Sequence, residues 1–308
     1  MEAVRFHEYG DVDVLAVEEI ETPTPGEGEV LLRVMAAGVN PIDWKVLHGS
    51  IAGGQPLSEA RGLGVEVAGV IEQVGPGVEG LAPGDDVLGH SSTAAYAEYA
   101  LAKPPMLQAK PPGLAWEVAG SLGVVVGTAY AALEALKLGT GETLLILGAS
   151  GGVGSIATQL AVARGVRVVG TAGPSKLELL RALGAAPVAY GDGLAERLRE
   201  VAAEGVDAVL DCSGHGEIAA AVEVKGNTDR VLMVAFSQLG IDLGVPFHAG
   251  GGGELTPQAL QETIPLIEDG RISFPIAGVF GLSRVSDALR ESEHGHPAGK
   301  LVIVPWSS

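Results

Sequence analysis

Cysteine is nearly absent from this sequence: Cys212 is the only one among 308 residues. A single thiol excludes an intrachain disulfide and any cysteine-rich zinc site, and a buried, inert side chain is a better interpretation of Cys212 than a reactive one. No uninterrupted apolar run of about 18 residues occurs, so a membrane-spanning helix is not expected. The segment Met1–His7 lacks the basic-then-apolar order of a secretory signal. We therefore expect a soluble, cytoplasmic protein without a membrane partner.

Lysine and arginine are also scarce: 19 of them face 38 Asp and Glu residues, which gives a net charge of −19. Nucleic-acid binding needs clustered basic side chains, so we expect no nucleic-acid partner. The acidity indicates solubility rather than a particular fold or chemistry. An anionic cofactor must then be held by local groups that act against an unfavourable overall field.

The chain is long enough for two domains, and its composition changes near residue 115. Short β-like runs separated by Gly and Pro come first, and they predict a compact, barrel-like β domain. The clearest runs are Val12–Ile20, Glu29–Ala36, Glu66–Val74 and Asp86–Leu88. Strands and helices alternate after that point, which predicts a parallel sheet covered on both faces by helices.

The predicted alternation begins with one or two helices in Val118–Leu138. Strands are predicted at 143–147, 166–171, 187–190, 206–211 and 230–235, with helices at 153–164, 175–183, 193–203 and 216–224. The segment Gln238–Glu254 has no regular pattern, and its glycine stretch Ala249–Gly253 is interpreted as a lid or a tolerated surface loop. Near the end, Ser283–Glu291 is predicted to be a helix, and Lys300–Val304 a strand that returns to the β domain.

The most informative segment is the glycine-rich turn 148–154, Gly-Ala-Ser-Gly-Gly-Val-Gly. The apolar strand Thr143–Leu147 leads into it and a helix follows at Ser155–Ala163, which is the context of a dinucleotide-binding site. Glycines let the backbone approach a pyrophosphate, and free N–H groups at a helix start attract that anion. A purely structural tight turn is the alternative. The predicted pyrophosphate-binding residues are Ser150, Gly151, Gly152, Val153 and Gly154.

The end of the second predicted strand bears on cofactor choice. NAD-preferring sites have an acidic residue about 20 positions beyond the glycine turn, where it holds the ribose 2′-OH. This chain has Thr171, Ser175 and Lys176 there instead. A hydroxyl and an ammonium pair with a 2′-phosphate, whereas a carboxylate repels it, so NADPH is predicted. Capping of a helix by Ser175 is an alternative interpretation.

Several short motifs are spaced along nearly the whole chain. They are Ala36–Asp43 (AAGVNPID), Gly64–Val70, Val74–Val78 with Gly84-Asp85, Tyr96–Tyr99, Gly127–Tyr130, the turn at 148–154, Leu183–Ala185, Val206–Asp211 and Gly299-Lys300. Together they resemble the zinc-free quinone oxidoreductase (zeta-crystallin-like) branch of the medium-chain dehydrogenase/reductase superfamily. The resemblance implies an α/β fold: a GroES-like β-barrel catalytic domain, residues 1–115 and 275–308, plus a doubly wound parallel-sheet Rossmann domain, residues 116–274.

The resemblance also bears on zinc. Zinc-dependent relatives have a cysteine where this chain has Asn40, and a histidine where it has Val65. Neither residue is a usual zinc ligand, and the seven histidines show no paired ligand spacing. His294 and His296 lie two apart in a Gly/Pro-rich loop and are expected to be exposed to solvent. We therefore predict that the protein holds no metal.

Further site residues are implied by the same resemblance. Asn40 is expected to donate to a substrate oxygen or orient the cofactor ribose, although it also suits a structural role in the Pro41 turn. Thr128 corresponds to a position beside the nicotinamide, but a helix-interior threonine also bonds its own backbone. Trp44 and His48 are expected to line the substrate pocket, and His48 is either a proton donor or a packing residue. The remaining predicted cofactor contacts are Tyr190, Ser213, Ala235 and Phe236.

The predicted activity follows from the absence of a Lewis acid. Hydride transfer without zinc favours acceptors that spread the negative charge themselves, such as quinones and other α,β-unsaturated carbonyls. An enoyl-thioester reductase of a biosynthetic pathway is the enzymatic alternative, and a non-catalytic NADPH-binding redox sensor is the other. Relatives commonly form homodimers by joining the edges of their Rossmann sheets, which implies an interface at Val231–Phe236 and the segment after it.

Overall fold

The computed structural model describes residues 1–249, 253–295, 297 and 299–306. Fourteen strands lie in this part of the chain and are numbered β1 to β14: Glu2–Arg5, Ala16–Glu19, Val30–Gly38, Glu66–Val74, Asp86–His90, Tyr99–Ala102, Leu107–Ala109, Thr143–Leu147, Arg167–Ala172, Ala186–Ala189, Ala208–Asp211, Val231–Met233, Ile276–Phe280 and Lys300–Ile303. Ten α-helices, α1 to α10, span Pro41–Leu47, Trp116–Ala119, Gly123–Leu136, Gly152–Ala163, Leu177–Ala182, Leu194–Val201, Glu217–Lys225, Gln238–Asp242, Thr256–Glu268 and Val285–Arg290. No helix among the described residues is long and apolar enough to cross a bilayer.

The chain forms two compact units. The first contains residues 1–124, 256–268 and 274–308, and the second contains residues 125–255 and 269–273. These units are defined by the contacts between their residues. The domain limits inferred above, at 115/116 and 274/275, remain a prediction.

The first unit is built on a seven-stranded sheet in the order β13-β14-β3-β4-β5-β7, with β6 also paired to β3. Strand β3 is central because it pairs antiparallel with β4, β6 and β14. Its pairing with β14 shows that the last strand does return to the β-rich part, as predicted. Apolar side chains from these strands, such as Leu32, Ile71 and Ile303, form one buried core together with Phe6, which lies outside the sheet.

The second unit contains a parallel five-stranded sheet in the order β10-β9-β8-β11-β12. In chain order this is 3-2-1-4-5, the order of the dinucleotide-binding Rossmann sheet. Every residue of β8 is buried, which explains why this strand is a continuous apolar run. The doubly wound α/β prediction is confirmed, and every predicted strand and helix of this sheet is present, most of them shifted at the ends by one to three residues.

Three segments differ from the predicted secondary structure. Val12–Ile20 is not one strand: the Asp11 carboxylate accepts the Val12 N–H at 2.6 Å and starts a 3-10 turn at Val12–Val14, so the strand begins only at Ala16. Gln238–Glu254 is not structureless, because Ser237 caps helix α8 by accepting the Gly240 N–H. Helix α9 is not indicated by the sequence pattern, although its buried Leu260 and Ile264 lie one turn apart. Within the glycine stretch 249–253, residues 250–252 lie outside the described residues.

Candidate active site

Asn40 lies where strand β3 ends and helix α1 begins, and its backbone is extended there. The Asp43 carboxylate reaches back to accept the Asn40 N–H at 2.8 Å, which satisfies a donor that the helix start leaves unpaired. Pro41 occupies the first helical position, where a missing N–H is harmless. These local contacts fix Asn40 at the start of the helix, where the residue is only 2% exposed.

The side chain of Asn40 is part of a buried ionic cluster with Glu66 and Lys300. Its Nδ2 donates to Glu66 Oε1 at 2.7 Å, and its Oδ1 accepts from Lys300 Nζ at 2.8 Å. Lys300 Nζ also donates to Glu66 Oε1 at 2.8 Å. Glu66 and Lys300 lie inside the sequence motifs given above, but the sequence assigns neither of them a role. A signal is present in the sequence, since each is a charged residue at the start of a strand that continues with buried residues.

The second Nδ2 hydrogen of Asn40 is only weakly engaged. Its nearest acceptor is the Gly38 carbonyl oxygen at 3.4 Å, which is long for a hydrogen bond. Asn40 therefore keeps one donor that a better acceptor would take. The predicted role of this side chain toward a substrate or a ribose remains a prediction.

Glu66 and His90 face each other across paired strands β4 and β5. Glu66 Oε2 accepts the Val124 N–H at 2.7 Å, so both of its oxygens are used. His90 is buried, and neither ring nitrogen has a partner within the described part of the chain. Burial lowers the His90 pKa, against a smaller opposing effect of the Glu66 charge. The imidazole is therefore held neutral beside the ionic cluster.

Asp43, on helix α1, forms a second buried polar pair with Tyr96. Tyr96 donates its hydroxyl to Asp43 Oδ2 at 2.7 Å. Burial raises the Asp43 pKa from 3.8 to about 6, although the hydrogen bonds from Tyr96 and from the Asn40 N–H lower it. Burial also raises the pKa of the Tyr96 phenol, and the nearby Asp43 charge raises it further. Tyr96 keeps its proton and acts as the donor.

Trp44 lies on helix α1 and His48 at its end, with ring centroids 5.9 Å apart. Both are half-buried, and the indole Nε1 has no hydrogen-bond partner among the described residues. His48 Nε2 lies 3.8 Å from Glu293 Oε2, a carboxylate that no sequence pattern singles out. Glu293 belongs to a π-helical turn, Glu291–Gly295, which also contains the exposed His294. His296 lies outside the described residues.

The glycine turn of the second unit has the shape that pyrophosphate binding requires. The first hydrogen bond of helix α4 is donated by Ser155 to the Gly151 carbonyl, so the N–H groups of residues 152–154 point out of the helix end. A Cβ on Gly154 would lie 2.3 Å from the Gly148 carbonyl oxygen, so only glycine suits this position. Gly148 adopts a φ of +70°, which other residues rarely adopt. The residues present therefore fit a dinucleotide.

Thr171 stabilises this turn through a hydrogen bond to its first residue. It is completely buried, and its Oγ1 accepts the Gly148 N–H at 3.0 Å. The hydroxyl thus ties the end of strand β9 to the start of the glycine turn. This is a supporting role that the sequence pattern does not indicate, and direct contact of Thr171 with a cofactor remains a prediction.

Ser175, Lys176 and Tyr190 lie together at the carboxyl end of the parallel sheet. Pro174–Lys176 is a 3-10 turn after β9, and Tyr190 follows β10. A Cβ on Gly173 would lie 3.1 Å from the Tyr190 hydroxyl, so the phenol rests against the start of that turn. The N-cap of helix α5 is Lys176 rather than Ser175, and the Lys176 side chain makes no capping hydrogen bond. A cleft of about 550 Å³ adjoins Tyr190 and is lined by Glu196, Glu217 and Glu223, among others.

Ser213 follows strand β11 and packs against the glycine turn, where a Cβ on Gly148 would approach it to 3.2 Å. Its N–H and hydroxyl both donate to Asp211 Oδ1 at 2.8 Å. Burial raises the Asp211 pKa despite these bonds. Cys212 is half-buried rather than fully buried as expected. Desolvation of its thiol raises the thiol pKa, and the Asp211 charge adds to this, so the thiol stays protonated. The interpretation of Cys212 as unreactive agrees with this.

The other predicted site residues are also placed by the second unit. Thr128 lies in helix α3 and is buried, with 5% relative exposure. Ala235 and Phe236 follow strand β12, the edge strand of the parallel sheet. Phe236 is exposed and meets Phe247 edge to face, with centroids 5.8 Å apart.

No group of three or more His, Cys, Asp or Glu side chains among residues 1–249, 253–295, 297 and 299–306 is arranged to hold a metal ion. Asn40 and Val65 do not supply the donor set of a zinc site. The ammonium of Lys300 lies instead between Asn40 Oδ1 and Glu66 Oε1. Zinc independence of the reaction remains a prediction.

Comparison with known proteins gives a consistent result over the whole chain. Residues 26–164 match the family model of the alcohol dehydrogenase GroES-like domain, and residues 152–249 match that of the zinc-binding dehydrogenases. The chain is 34% identical to a 2-methylene-furan-3-one reductase of Solanum lycopersicum, and the match covers 99% of this chain and 79% of the relative. It is 33% identical to a chloroplastic NADPH-dependent alkenal/one oxidoreductase of Arabidopsis thaliana, with 99% and 80% covered.

A solved structure extends the comparison to three dimensions. The quinone oxidoreductase of Coxiella burnetii superposes with a TM-score of 0.84 at 27% identity, and the match covers 99% of both chains. The similarity therefore covers the β-rich sheet as well as the five-stranded parallel sheet.

Proposed function

The chain belongs to the medium-chain dehydrogenase/reductase superfamily, and we propose that it is a zinc-independent, NADPH-dependent reductase of quinones or other α,β-unsaturated carbonyls. It is an oxidoreductase of the quinone and enone reductase group. The observation that carries the proposal is the glycine cradle at 148–154, whose outward N–H groups and missing Cβ atoms suit a pyrophosphate.

The choice of NADPH rests on the residues at the carboxyl ends of β9 and β10. Ser175 and Lys176 offer a hydroxyl and an ammonium there, and no carboxylate occupies the 171–176 segment. The Tyr190 hydroxyl lies against Gly173, which belongs to the same segment. A 2′-phosphate would receive charge-assisted hydrogen bonds from Ser175 and Lys176. The carboxylates of the cleft next to Tyr190 would repel a phosphate, so the proposed contact is confined to the 171–176 segment. The Arabidopsis relative is itself named as an NADPH-dependent enzyme.

NADPH supplies a hydride when it is bound. A quinone or an enone spreads the charge it gains over a conjugated system, so this chain has to place only one or two donors near the acceptor oxygen. Asn40 is the proposed donor, because one Nδ2 hydrogen is only weakly bound to Gly38. Trp44 and His48 are proposed to line the acceptor pocket, and Thr128 to lie beside the nicotinamide.

We also propose a homodimer that forms through the edge of the parallel sheet. Strand β12 is the edge strand, and the next segment pairs with it through the Met233–Phe247 bridge. Phe236 and Phe247 are exposed there, and so is Leu239 of helix α8. Large exposed apolar side chains at the edge of a sheet are typical of an interface between subunits.

The test is steady-state oxidation of NADPH and, separately, of NADH, after treatment of the protein with a chelator. The acceptors are a small quinone, an alkenal and crotonyl-CoA. We expect preferential turnover of NADPH with the quinone or the alkenal, and no loss of rate with the chelator. Turnover of crotonyl-CoA alone would favour a thioester reductase, and tight NADPH binding without any turnover would favour a sensor.

A further inference from the structure

Lys300 is a buried charge of the first unit whose hydrogen-bonding capacity is fully used. Its ammonium is in the interior at the start of strand β14, and it donates to three oxygens: Val39 O at 3.0 Å, Asn40 Oδ1 at 2.8 Å and Glu66 Oε1 at 2.8 Å. An ammonium has three N–H donors, so all of them are engaged. The cation is therefore fixed in place and has no donor left for a ligand of its own.

The geometry decides the orientation of one side chain. An asparagine amide has two orientations that differ by exchange of its oxygen and its nitrogen. With Asn40 Oδ1 on the ammonium and Nδ2 on the Glu66 carboxylate, both contacts are favourable. The flipped amide would set an N–H against the Lys300 ammonium and the oxygen against the Glu66 carboxylate. Lys300 and Glu66 thus lock the amide from both sides.

From this arrangement we infer that Lys300 is a positioning residue: it fixes the orientation of the Asn40 amide, so that the weakly engaged Nδ2 hydrogen stays available as a donor to the acceptor. The inference rests on the proposed function, since it assigns a purpose to the Asn40 donor. Lys300 does not touch the reacting atoms and acts only through Asn40.

A purely structural role for the ion pair explains less. Taking two charges out of water is costly, and a buried ion pair is often no more stabilising than well-packed apolar residues of similar size. The neighbours of Lys300 in its strand are the apolar residues Leu301, Val302 and Ile303, which are all buried in the core. A lysine at this position is better explained by what its charge orients than by what it adds to stability.

The experiment is a kinetic double-mutant cycle on the full-length enzyme. The variants are Lys300→Met, Asn40→Ala and the two combined, with Lys103→Met as a matched control, because Lys103 is exposed. For each one, kcat and KM are measured for the best acceptor of the wild-type enzyme, and the Kd for NADPH is measured separately. Circular dichroism and thermal unfolding establish that each variant is folded.

A positioning role predicts strong coupling between the two sites. Lys300→Met should lower kcat about 100-fold when Asn40 is present, the loss expected when one well-placed donor is removed. In the Asn40→Ala background the same change should alter kcat by no more than about 2-fold. Lys300→Met also breaks the Lys300–Asn40 hydrogen bond, so thermal unfolding is measured for every variant to separate a loss of stability from a loss of kcat.

The outcomes separate the two proposals. Equal loss of kcat in both backgrounds, or a loss confined to NADPH affinity, would overturn the positioning role of Lys300 while the enzyme remains a reductase. A wild-type enzyme without turnover of any acceptor would overturn the proposed function, and this inference with it. Should Lys300→Met fail to fold, Glu66→Gln/Lys300→Met serves in the same cycle, since it buries no unpaired charge.

Discussion

Replacement of Asp43 by asparagine should change how the stability of the first unit depends on pH. Burial raises the pKa of this carboxyl from 3.8 to about 6 in the folded protein. The folded state therefore binds more protons than the unfolded state between about pH 4 and pH 6. The stability contributed by the protonated Asp43 is fully present below about pH 4 and is lost as the pH rises through about 6. At about 1.36 kcal/mol per pKa unit, the loss is about 3 kcal/mol.

The amide of the Asp43→Asn variant cannot ionise, and its oxygen can accept the same two hydrogen bonds, from the Tyr96 hydroxyl and the Asn40 N–H, that Asp43 Oδ2 accepts. The free energy of unfolding of the wild type, relative to Asp43→Asn, should therefore fall by about 3 kcal/mol between about pH 4 and pH 7. The assay is urea unfolding followed by tryptophan fluorescence. All three tryptophans, Trp44, Trp116 and Trp306, lie in the first unit, so the signal reports the unit that contains Asp43.

Asp13→Asn is the control for this measurement, because Asp13 is a surface carboxyl whose side chain is 82% exposed. Its stability profile should run parallel to that of the wild type, since a surface ion pair contributes little. Parallel profiles of the wild type and Asp43→Asn would refute the reasoning. So would a wild type that gains stability over the variant as the pH rises, because the two hydrogen bonds would then outweigh burial.

Three further predictions concern the second unit. Lys176→Glu should raise KM for NADPH about 10- to 100-fold and leave KM for NADH within a few-fold, as measured by initial rates; equal effects on both would exclude a 2′-phosphate contact. Gly154→Ala should lower the stability by about 1–3 kcal/mol and weaken NADPH binding in titrations, because its Cβ would overlap the Gly148 carbonyl. Gly151→Ala should be tolerated by the fold, because the nearest contact of its Cβ would be the Gly148 carbonyl oxygen at 3.4 Å. A loss of stability as large as that of Gly154→Ala would contradict the steric argument. Phe247→Asp should convert the proposed homodimer to a monomer in light scattering coupled to size exclusion, and an unchanged mass would place the interface elsewhere.

The buried ionic cluster also shows where prediction from residue types runs short. Asn40 is predicted to be a donor, and it lies at the predicted turn. Its actual hydrogen bonds, however, are made with Glu66 and Lys300, which are 26 and 260 positions away in the chain. A charged residue at the start of an apolar strand signals that a partner must exist, but only the pairing of β3 with β4 and β14 identifies which one. The same holds for Glu293, which approaches His48 from a distant turn.

Local patterns in the sequence determined the strands and helices of the parallel sheet and the glycine turn. Each of these depends on features within a few residues: apolar periodicity, and a φ that only glycine adopts readily. The sequence also determined that Ser175 and Lys176 follow the second strand of that sheet without a carboxylate. These features were predictable because their causes lie within about 20 residues of one another.

Tertiary structure alone decided the environment of each polar group. Thr171 is a support of the glycine turn rather than an open hydroxyl, Asp43 has a raised pKa, and the Asn40 amide has one orientation. Each result depends on which groups exclude water and which donors approach from other strands, and hydrogen bonding is sensitive to distances of a few tenths of an ångström. A linear sequence does not contain those distances, and they arise only when β14 is placed beside β3 and Lys300 reaches Asn40.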